Sequence, residues 1–333
     1  MDTLNETPDT PSRPKVVILT TQGVNPPQNL EVIRQKSDVV LTDAAGLADA
    51  IPGADVLFLW DFFSTALRDV WKHADSLRWV HVAAAGVDSL LFDELRESDV
   101  VVTNAHGAFD GPIAEFVLAS ILAHDKQLHL SKNLQQQNVW KHREVQRTAG
   151  QNALVIGTGG IGRATARLLK AVGMNVLGAG RTMRDEDPDF NKVVPSVELA
   201  AHAEWADHLV LIAPLTQETR GILGTEVLAA MNPSAHVVNV GRGALVDEEA
   251  LVQALRSGQV AAASLDVFDV EPLPADHPFW GMDNVHVSAH MSGDVVGWRG
   301  TLAQQFERNL NLWLASEPLV NQVDKKLGYV TSG

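Results

Sequence analysis

Short runs of β-branched and other apolar residues alternate with segments of helical periodicity through the first third of the chain. The runs are KVVILT (15–20), DVVLT (38–42), ADVLFLW (54–60), LRWVHVAA (77–84) and DVVVTN (99–104). Strands that alternate with helical segments are typical of βαβ units, whose strands form one parallel sheet. The pattern therefore predicts an α/β domain in this part of the chain.

A helical pattern over 112–130 leads into a second series of apolar runs. They are NALVIG (152–157), MNVLGAG (174–180), HLVLIAP (208–214), AHVVNV (235–240), AAASLDVF (261–268) and NVHVSAH (284–290). Two such series in 333 residues predict two doubly wound domains, each with a parallel sheet. A last helical pattern, over 295–315, fits either domain.

Charge and composition limit the partners. The chain has 26 Lys and Arg against 41 Asp and Glu, a formal net charge of -15, and no cysteine. Such a surface repels nucleic acid, and the lack of cysteine excludes disulfides and thiolate-bound metals. His124 and His129 lie on a predicted helix at a spacing that does not share a face, so no metal pair is expected.

The sequence also gives no sign of a membrane partner. No apolar run approaches the roughly 18 residues that a membrane span requires. The acidic, proline-rich start lacks the basic and apolar regions of a secretory signal. We therefore expect a cytoplasmic protein with a loose tail over residues 1–14.

A glycine motif predicts a dinucleotide site. Gly157, Gly159 and Gly162 fit the pattern G-x-G-x-x-G, which follows the strand-like NALVI and opens a helical segment. In this context Gly157 allows a tight turn, Gly159 lets the backbone approach a pyrophosphate, and Gly162 lets helix and strand pack closely. The alternative is a glycine-rich turn without a ligand.

The end of the next predicted strand bears on the choice of cofactor. An NAD enzyme typically has an acidic residue there to bind the ribose hydroxyls, whereas this chain has Gly180 followed by Arg181, Thr182 and Arg184. A guanidinium group binds a 2′-phosphate that a carboxylate would repel. This favours NADP over NAD, although the arginines could also be solvated loop charges, with the acidic residues 185–187 close by.

Three polar side chains follow three of the apolar runs. Arg242 follows AHVVNV, Glu271 follows AAASLDVF, and His290 ends NVHVSAH. Ligands of open α/β sheets bind at the carboxyl ends of strands. Ketone reduction needs a hydride donor, a proton donor, a partner that favours the protonated donor, and a cation for the substrate carboxylate. A reduced nicotinamide with His290, Glu271 and Arg242 would supply all four, although Arg242 alone could be an ordinary surface residue.

At these residues the chain resembles the D-isomer-specific 2-hydroxyacid dehydrogenases. The matching segments, in the family's order, are GTGGIGRATARLLKAVGMNV, LIAPLTQETRGIL, VVNVGRGALVDEEAL, SLDVFDVEPLPADHPFW and NVHVSAHMSG. The similarity runs from about Ala54 to Gly297. It implies a Rossmann cofactor domain over 107–291, inserted in a flavodoxin-like substrate domain made of 1–106 and 292–333.

The resemblance also implies roles for single residues. Arg242 binds the 2-oxo acid carboxylate and polarises the ketone, Glu271 assists the histidine, and His290 is the acid in reduction and the base in oxidation. Backbone amides of Ala85 and Gly86 face the substrate. The implied cofactor contacts are Gly160 and Ile161 at the pyrophosphate, Ala213 and Val240 along the groove, Asp266 at the nicotinamide carboxamide, and Gly241, His290 and Ser292 close by.

Three further positions carry expectations. Trp60 ends a strand and is predicted either to wall the substrate pocket or to pack in the core. Ala289 stands where the family usually has proline before the catalytic histidine. Gly180 replaces the usual acidic residue, which resembles the family's NADP-preferring glyoxylate and hydroxypyruvate reductases.

The leading prediction is a homodimeric reductase of 2-oxo acids to D-2-hydroxy acids that prefers NADPH, with NAD still open. The resemblance implies that two copies pair through the cofactor domain and its arm near residues 112–145. One alternative is a hydroxypyruvate, glyoxylate or D-3-phosphoglycerate dehydrogenase, but no basic groups for a phosphate cluster near AAAGVD. The alternative from another class is a corepressor that senses the dinucleotide.

Overall fold

The computed structural model describes residues 13–331, which divide into two compact units. The first unit comprises residues 13–106 and 297–331, and the second comprises Gly107–Val296. The chain leaves the first unit after His106 and returns to it at Gly297, and the sequence prediction placed these two boundaries at 106/107 and 291/292. Of the loose tail predicted for residues 1–14, residues 1–12 lie outside the described part.

The first unit contains a five-stranded parallel sheet. Its strands are β1 (Lys15–Leu19), β2 (Asp38–Thr42), β3 (Val56–Leu59), β4 (Trp79–Val82) and β5 (Val101–Thr103). Its helices are α1 (Leu30–Lys36), α2 (Leu47–Ala50), α3 (Ala66–Val70), α4 (Asp93–Glu97) and the final helix, α11 (Trp298–Leu314). The strand order β2-β1-β3-β4-β5 is that of flavodoxin-like folds.

Aromatic packing assigns the last helix to the first unit. Phe306 of α11 stacks on Phe58 of β3 with ring centroids 4.0 Å apart, and on Trp79 of β4 at 5.3 Å. All three side chains are fully buried. Because large aromatic rings bury much apolar surface, this stack anchors α11 against the centre of the sheet. The apolar pattern had left open which domain this helix joins, whereas the family resemblance implied the first.

The second unit contains seven parallel strands in the Rossmann order. The strands are β6 (Asn152–Ile156), β7 (Asn175–Gly180), β8 (Val193–Pro195), β9 (His208–Leu211), β10 (His236–Asn239), β11 (Ala262–Leu265) and β12 (Val285–Val287). Their spatial order is β8-β7-β6-β9-β10-β11-β12, so the direction of winding reverses between β6 and β9. The predicted class, two doubly wound parallel α/β sheets, is confirmed.

Helices of the second unit differ from the predicted ones in one respect. They are α5 (Asp110–Asp125), α6 (Leu128–Gln136), α7 (Gly160–Ala171), α8 (Leu199–Ala203), α9 (Thr225–Ala230) and α10 (Glu248–Ser257). The single helix expected over 112–130 is two helices, because Gln127 adopts a left-handed φ of 49° between them. None of the helices within residues 13–331 has the length and apolar composition that a membrane crossing needs.

Two buried histidines begin adjacent strands of the second unit. His208 starts β9 and His236 starts β10, and their Nδ1 atoms are 3.3 Å apart. Nε2 of His208 lies within reach of two acceptors, Gln151 Oε1 at 2.5 Å and Asp125 Oδ1 at 3.3 Å, so this nitrogen carries the proton. His208 therefore accepts from Nδ1–H of His236, which leaves His236 Nε2 to accept from the Ser264 hydroxyl at 2.9 Å.

This chain of hydrogen bonds continues into stacked rings. His124 of α5 stacks on His236 with centroids 4.4 Å apart, and His129 of α6 stacks on His286 of β12 at 3.4 Å. Burial lowers the pKa of His286 to about 4 and the pKa of His236 well below its ordinary value, with neighbouring histidines adding to both shifts. The folded second unit thus holds these rings in the neutral form.

We predict that acid weakens the fold through these histidines. Their pKa values are lower in the folded chain than the ordinary value near 6.5, so the unfolded chain binds the protons first. Stability is complete above about pH 6.5 and is lost as the pH falls toward the folded values. For a fully buried ring such as His236, the slope approaches about 1.4 kcal/mol per pH unit.

Urea unfolding at pH 7.5, 6.5 and 5.5 measures this slope. His286→Gln should flatten it, because that variant removes one of the shifted groups. His73→Gln, at an exposed position of the first unit, is the matched control and should keep the slope of the unaltered protein. Equal unfolding free energies at pH 7.5 and 5.5 would contradict the prediction.

Candidate active site

Parallel strands bring three loops of the second unit to one edge of its sheet. Arg242 lies just after β10, Glu271 lies in the loop after β11, and His290 lies just after β12. Because β10, β11 and β12 are neighbours that run in the same direction, their carboxyl ends leave the sheet side by side. Side chains 48 residues apart along the chain can therefore meet in one crevice.

The histidine and the glutamate form a direct pair. Nδ1 of His290 is 2.7 Å from Oε2 of Glu271, and about a third of each side chain is exposed, 31% and 30%. Oε1 of Glu271 accepts a second hydrogen bond from the Phe268 amide at 2.9 Å, which fixes the carboxylate. The carboxylate therefore assigns a proton to Nδ1 and leaves Nε2 as the ring atom that can exchange a proton with a ligand.

Arg242 adds positive charge to this pair. Partial burial acts to raise the pKa of Glu271, but hydrogen bonds from His290 and the Phe268 amide, with the charge of Arg242, hold it below its ordinary value. Glu271 is therefore ionised at neutral pH, and its carboxylate accepts the hydrogen bond from Nδ1 of His290. The guanidinium itself is oriented by a hydrogen bond from Nη1 to the Gly241 carbonyl at 2.8 Å.

The glycines beside Arg242 serve close packing rather than backbone freedom. Neither has a left-handed φ. A Cβ on Gly243 would overlap the backbone of Phe268 and Asp269, and a Cβ on Gly241 would lie 2.8 Å from the Leu245 side chain. The missing side chain at Gly243 therefore lets the loop of Arg242 touch the loop that carries Glu271.

Asp266 lies beneath the same crevice and is completely buried. Its carboxylate accepts hydrogen bonds from the Ser288 hydroxyl at 2.5 Å, the Met291 amide at 3.0 Å and the Ser292 amide at 2.8 Å. Its carbonyl accepts from the His290 amide at 2.8 Å. A buried carboxylate requires such donors, and here all of them come from the loop after β12.

The glycine loop has the shape that a pyrophosphate needs. Gly157 has a φ of +113°, and a Cβ on it would lie 2.7 Å from Ala213 N, so only glycine suits this turn. A Cβ on Gly162 would overlap the Gly157 carbonyl, which shows how closely α7 approaches β6. By contrast, the space beside Gly159 is open within 4 Å, at the N-terminus of α7, where Gly160 and Ile161 begin the helix. These features fit a bound phosphate.

Asp110 is a neighbour of this loop that the sequence gave no reason to select. Its carboxylate lies directly against Gly160, where any side chain would collide with it. Asp110 opens α5, two residues before the predicted start of the helix at 112 and far from the glycine motif in sequence. Only the packing of α5 against α7 brings the two together.

The residues proposed for a 2′-phosphate have different surroundings. Arg181 and Thr182 are exposed beyond the end of β7. Arg184 instead donates from Nε to Asp187 at 2.8 Å, and Asp187, with 2% of its side chain exposed, also binds Arg163 at 3.0 Å. The guanidinium of Arg184 is therefore committed to an ion pair within its own loop, which leaves Arg181 as the better candidate.

Gly180 has a steric reason as well. A Cβ at this position would lie 3.0 Å from Thr158 Oγ1 and 3.4 Å from its methyl group. The side chain of Thr158, within the glycine motif, thus crowds the position where other chains of this fold have an acidic residue. Sequence spacing alone does not show that these two positions touch.

The remaining cofactor candidates lie along the same edge of the sheet. Ala213 follows β9, and Val240 and Gly241 follow β10, with the Val240 amide bonded to the Leu211 carbonyl at 3.1 Å. Ser292 follows His290 and is tied to Asp266 as described above. Among the described residues, no group of three or more His, Asp or Glu side chains is placed to hold a metal ion.

The first unit contains three residues predicted to contact the substrate, namely Ala85, Gly86 and Trp60. Ala85 and Gly86 lie in the loop after β4, where the Asn104 side chain binds the Ala85 carbonyl. Trp60 is 1% exposed, donates from Nε1 to the Asn25 carbonyl at 2.8 Å, and lies under the guanidinium of Arg299. Trp60 thus packs in the core, one of its two predicted roles, and its contact with a substrate stays a prediction.

Comparisons with known proteins agree on one family. A model of the NAD binding domain of D-isomer specific 2-hydroxyacid dehydrogenases matches residues 118–292. Glyoxylate reductase of Korarchaeum cryptofilum is 31% identical over 265 residues, which are 78% of this chain and 80% of that protein. D-3-phosphoglycerate dehydrogenase of Methanocaldococcus jannaschii is 33% identical over 291 residues, 85% of this chain but only 55% of that protein.

A solved structure gives the same result. The crystal structure of a D-isomer specific 2-hydroxyacid dehydrogenase from Xanthobacter autotrophicus, in complex with NADPH and MES, superposes with a TM-score of 0.81. The two sequences are 31% identical, and the match covers 94% of this chain and 99% of the other.

We predict that replacing two glycines of the loop by alanine has different effects, one on stability and the other on dinucleotide binding. Gly162→Ala places a methyl group on the Gly157 carbonyl and should cost about 1 to 3 kcal/mol of stability. Gly159→Ala should leave stability within about 0.5 kcal/mol, because its Cβ meets open space. It should nevertheless weaken dinucleotide binding about tenfold, since the methyl group takes the space of the phosphate.

Thermal unfolding and NADPH titration measure the two effects separately. Gly281→Ala, another glycine with open space around it, is the control for both and should resemble the unaltered protein. If Gly159→Ala bound NADPH as tightly as that control, the phosphate would not lie at this loop.

Proposed function

The chain belongs to the D-isomer-specific 2-hydroxyacid dehydrogenase family, and from this premise we propose that it reduces 2-oxo acids to D-2-hydroxy acids with NADPH as the preferred cofactor. Membership makes it an NAD(P)-dependent oxidoreductase of 2-hydroxy acids. The observation that carries the more specific proposal is the 2.7 Å pair of His290 and Glu271 with the charge of Arg242 acting on it.

In this proposal the three side chains divide the work on the substrate. Arg242 binds the carboxylate of the 2-oxo acid and draws electron density from the ketone. His290 donates the proton on Nε2 to the ketone oxygen as that oxygen gains charge. Glu271 holds the ring through Nδ1 and stabilises its charged form before the transfer. In the reverse direction, His290 removes the proton from the hydroxyl group.

Residues of the second unit also fit the cofactor. The reduced nicotinamide, when bound, supplies the hydride for the ketone carbon. The open space at Gly159 and the N-terminus of α7 would hold its pyrophosphate, with Gly160 and Ile161 donating amides. Ala213, Val240 and Gly241 would line the groove. Asp266 and Ser292 would lie beside the carboxamide.

Preference for NADPH has three supports. Gly180 puts no carboxylate at the end of β7, and Thr158 crowds this position. Arg181 and Thr182 are exposed next to it, so they can reach a 2′-phosphate. The solved relative from Xanthobacter autotrophicus is described with NADPH bound. NAD remains the alternative cofactor.

Two substrate questions are open to experiment. Several relatives carry the name glyoxylate reductase, so glyoxylate and hydroxypyruvate are the first substrates to test. A phosphorylated substrate is disfavoured, because residues 83–92 around Ala85 and Gly86 contain no lysine or arginine. In the first unit, backbone amides of Ala85 and Gly86 would bind the carboxylate. A role that consists only of sensing the dinucleotide is disfavoured, because it would not need the trio of Arg242, Glu271 and His290.

We also propose that a second copy of the chain covers the exposed arm. Apolar side chains of the segment 128–145 are solvent-exposed, and Trp140 is 97% exposed. The exposed members are Leu128, Leu130, Val139, Trp140 and Val145. An apolar surface of this kind favours association, and the family's homodimers use this segment. A monomeric mass in light scattering would contradict the proposal. The cytoplasmic location stays a prediction.

We predict that His290→Gln lowers kcat by about 10² to 10⁴ and leaves NADPH affinity unchanged, because the variant removes only the proton donor. Arg242→Gln should chiefly raise KM for the 2-oxo acid. His277→Gln, a histidine of the same unit that pairs with Glu248, is the matched control and should keep the unaltered rate.

A panel of 2-oxo acids, from glyoxylate to branched and aromatic ones, measures these constants with NADPH and with NADH. Near-normal rates in His290→Gln and Arg242→Gln would contradict the assigned roles. If the unaltered protein bound a dinucleotide tightly but reduced no 2-oxo acid, the sensing alternative would replace the reductase.

We predict that Arg181→Ala lowers the preference for NADPH over NADH, measured as the ratio of kcat/KM, by about 10- to 100-fold. A charge-assisted hydrogen bond of about 1.5 to 3 kcal/mol corresponds to this range. Arg184→Ala is the matched control, because its guanidinium is bound to Asp187. It should change thermal stability more than cofactor preference. An unchanged ratio in Arg181→Ala would rule out this arginine as the phosphate ligand.

A further inference from the structure

His290 adopts a backbone conformation that histidine does not prefer. Its φ is +49°, in the left-handed region where the Cβ of most residues is crowded by the backbone. Such a conformation persists only where surrounding contacts impose it. The contacts that impose it here determine where the imidazole points.

Those contacts converge on one residue of the neighbouring strand. The amides of His290, Met291 and Ser292, three in succession, all donate to Asp266, at 2.8, 3.0 and 2.8 Å. The first bond goes to the Asp266 carbonyl and the other two go to its carboxylate. Successive amides around a left-handed residue form a concave site for an anion, and here the anion is a buried side chain of the same chain.

The carboxylate is itself fixed by Ser288. The Ser288 hydroxyl donates to Asp266 Oδ1 at 2.5 Å, and the Ser288 amide donates to the Leu265 carbonyl at 2.9 Å. Since β11 and β12 pair with Leu265 opposite Val287, Ser288 and Asp266 are adjacent where both strands end. The hydroxyl can therefore hold the carboxylate in the one orientation that meets the amides of residues 291 and 292.

The residue between Ser288 and His290 makes this hydrogen bond more important. Proline at position 289 would fix its own φ and restrict the backbone of residue 288. This chain has Ala289, which restricts neither. Rigidity that a proline ring would provide must here come from the hydrogen bonds to Asp266.

We propose that Ser288, through Asp266, is a positioning residue for His290. The hydroxyl orients the buried carboxylate, the carboxylate holds the backbone of residues 290–292, and this backbone directs Nδ1 of the imidazole to Glu271. Nε2 then faces the substrate. The inference rests on the proposed function for its effect on catalysis, but its effect on the His290–Glu271 hydrogen bond does not depend on turnover. We call these hydrogen bonds, from the Ser288 hydroxyl and the amides of residues 290–292 to Asp266, the clamp. Asp266 Oδ2 accepts one hydrogen bond from the described residues, and a carboxylate oxygen accommodates two. The clamp is therefore compatible with a contact between Asp266 and the cofactor.

Ser288→Ala tests the clamp through kinetics. We expect kcat to fall about 5- to 50-fold, because a small misplacement of a catalytic group is costly. KM for the 2-oxo acid and the Kd of NADPH should stay within about twofold, because neither ligand loses a direct contact. Ser288→Thr, which keeps the hydroxyl, should restore most of the rate. Ser264→Ala removes a hydroxyl from β11 that binds His236 instead, and should keep the unaltered rate.

Proton NMR of the protein without substrate tests the geometry directly. The Nδ1 proton of His290, assigned by its loss in His290→Gln, should give a downfield signal in the unaltered protein and in Ser288→Thr. It should broaden or vanish in Ser288→Ala at the same pH and temperature, because the ring no longer keeps its hydrogen bond to Glu271.

The two proposals fail in different ways. If the unaltered protein showed no turnover, the proposed function would be wrong. The NMR comparison would still test whether the clamp holds His290 in place. If Ser288→Ala kept both the unaltered kcat and the downfield signal, the clamp would be overturned. It would also be overturned if kcat fell only in proportion to the folded fraction, or if Ser288→Thr were as impaired as Ser288→Ala.

Discussion

The shared direction of the strands in the second unit is the constraint on which the candidate site depends. Because β10, β11 and β12 are parallel neighbours, their loops leave the sheet at one edge. The crevice there receives a cation, a carboxylate and an imidazole from three separate parts of the chain. An antiparallel arrangement would have sent alternate loops to opposite edges. The place of the chemistry proposed for this protein thus follows from strand direction.

Close packing of the loops then brings their side chains within interaction distance of one another. Gly243 lets the Arg242 loop touch the backbone of Phe268 and Asp269, and Gly162 does the same for α7 and β6. Because the chain has a formal charge of -15, the surroundings of each arginine also decide whether its positive charge can attract an anion. Arg242 acts on Glu271 at the crevice, whereas Arg184 is neutralised by Asp187 within its own loop. Two arginines of similar appearance in the sequence therefore have different capacities to bind an anion.

Histidines at the two ends of the second sheet differ in burial and in their partners. At the amino-terminal end, His208 and His236 are buried and bonded to each other, and burial lowers the pKa of His236 well below its ordinary value. At the carboxyl end, His290 is partly exposed and paired with the ionised carboxylate of Glu271. Burial and the choice of partner, rather than residue type, separate a packing histidine from one suited to proton transfer.

The sequence by itself determined the two parallel α/β sheets, the glycine loop and the trio of Arg242, Glu271 and His290, because apolar periodicity and position after a strand are local properties. It did not determine which surfaces touch. The break at Gln127, the approach of Asp110 to Gly160, the burial of Trp60 and the pairing of Arg184 with Asp187 all depend on contacts between distant segments. The clamp of Asp266 and Ser288 on the His290 loop is of the same kind. Only the tertiary structure decided these features, because a hydrogen bond or a steric contact is fixed by distance in space, which sequence spacing does not specify.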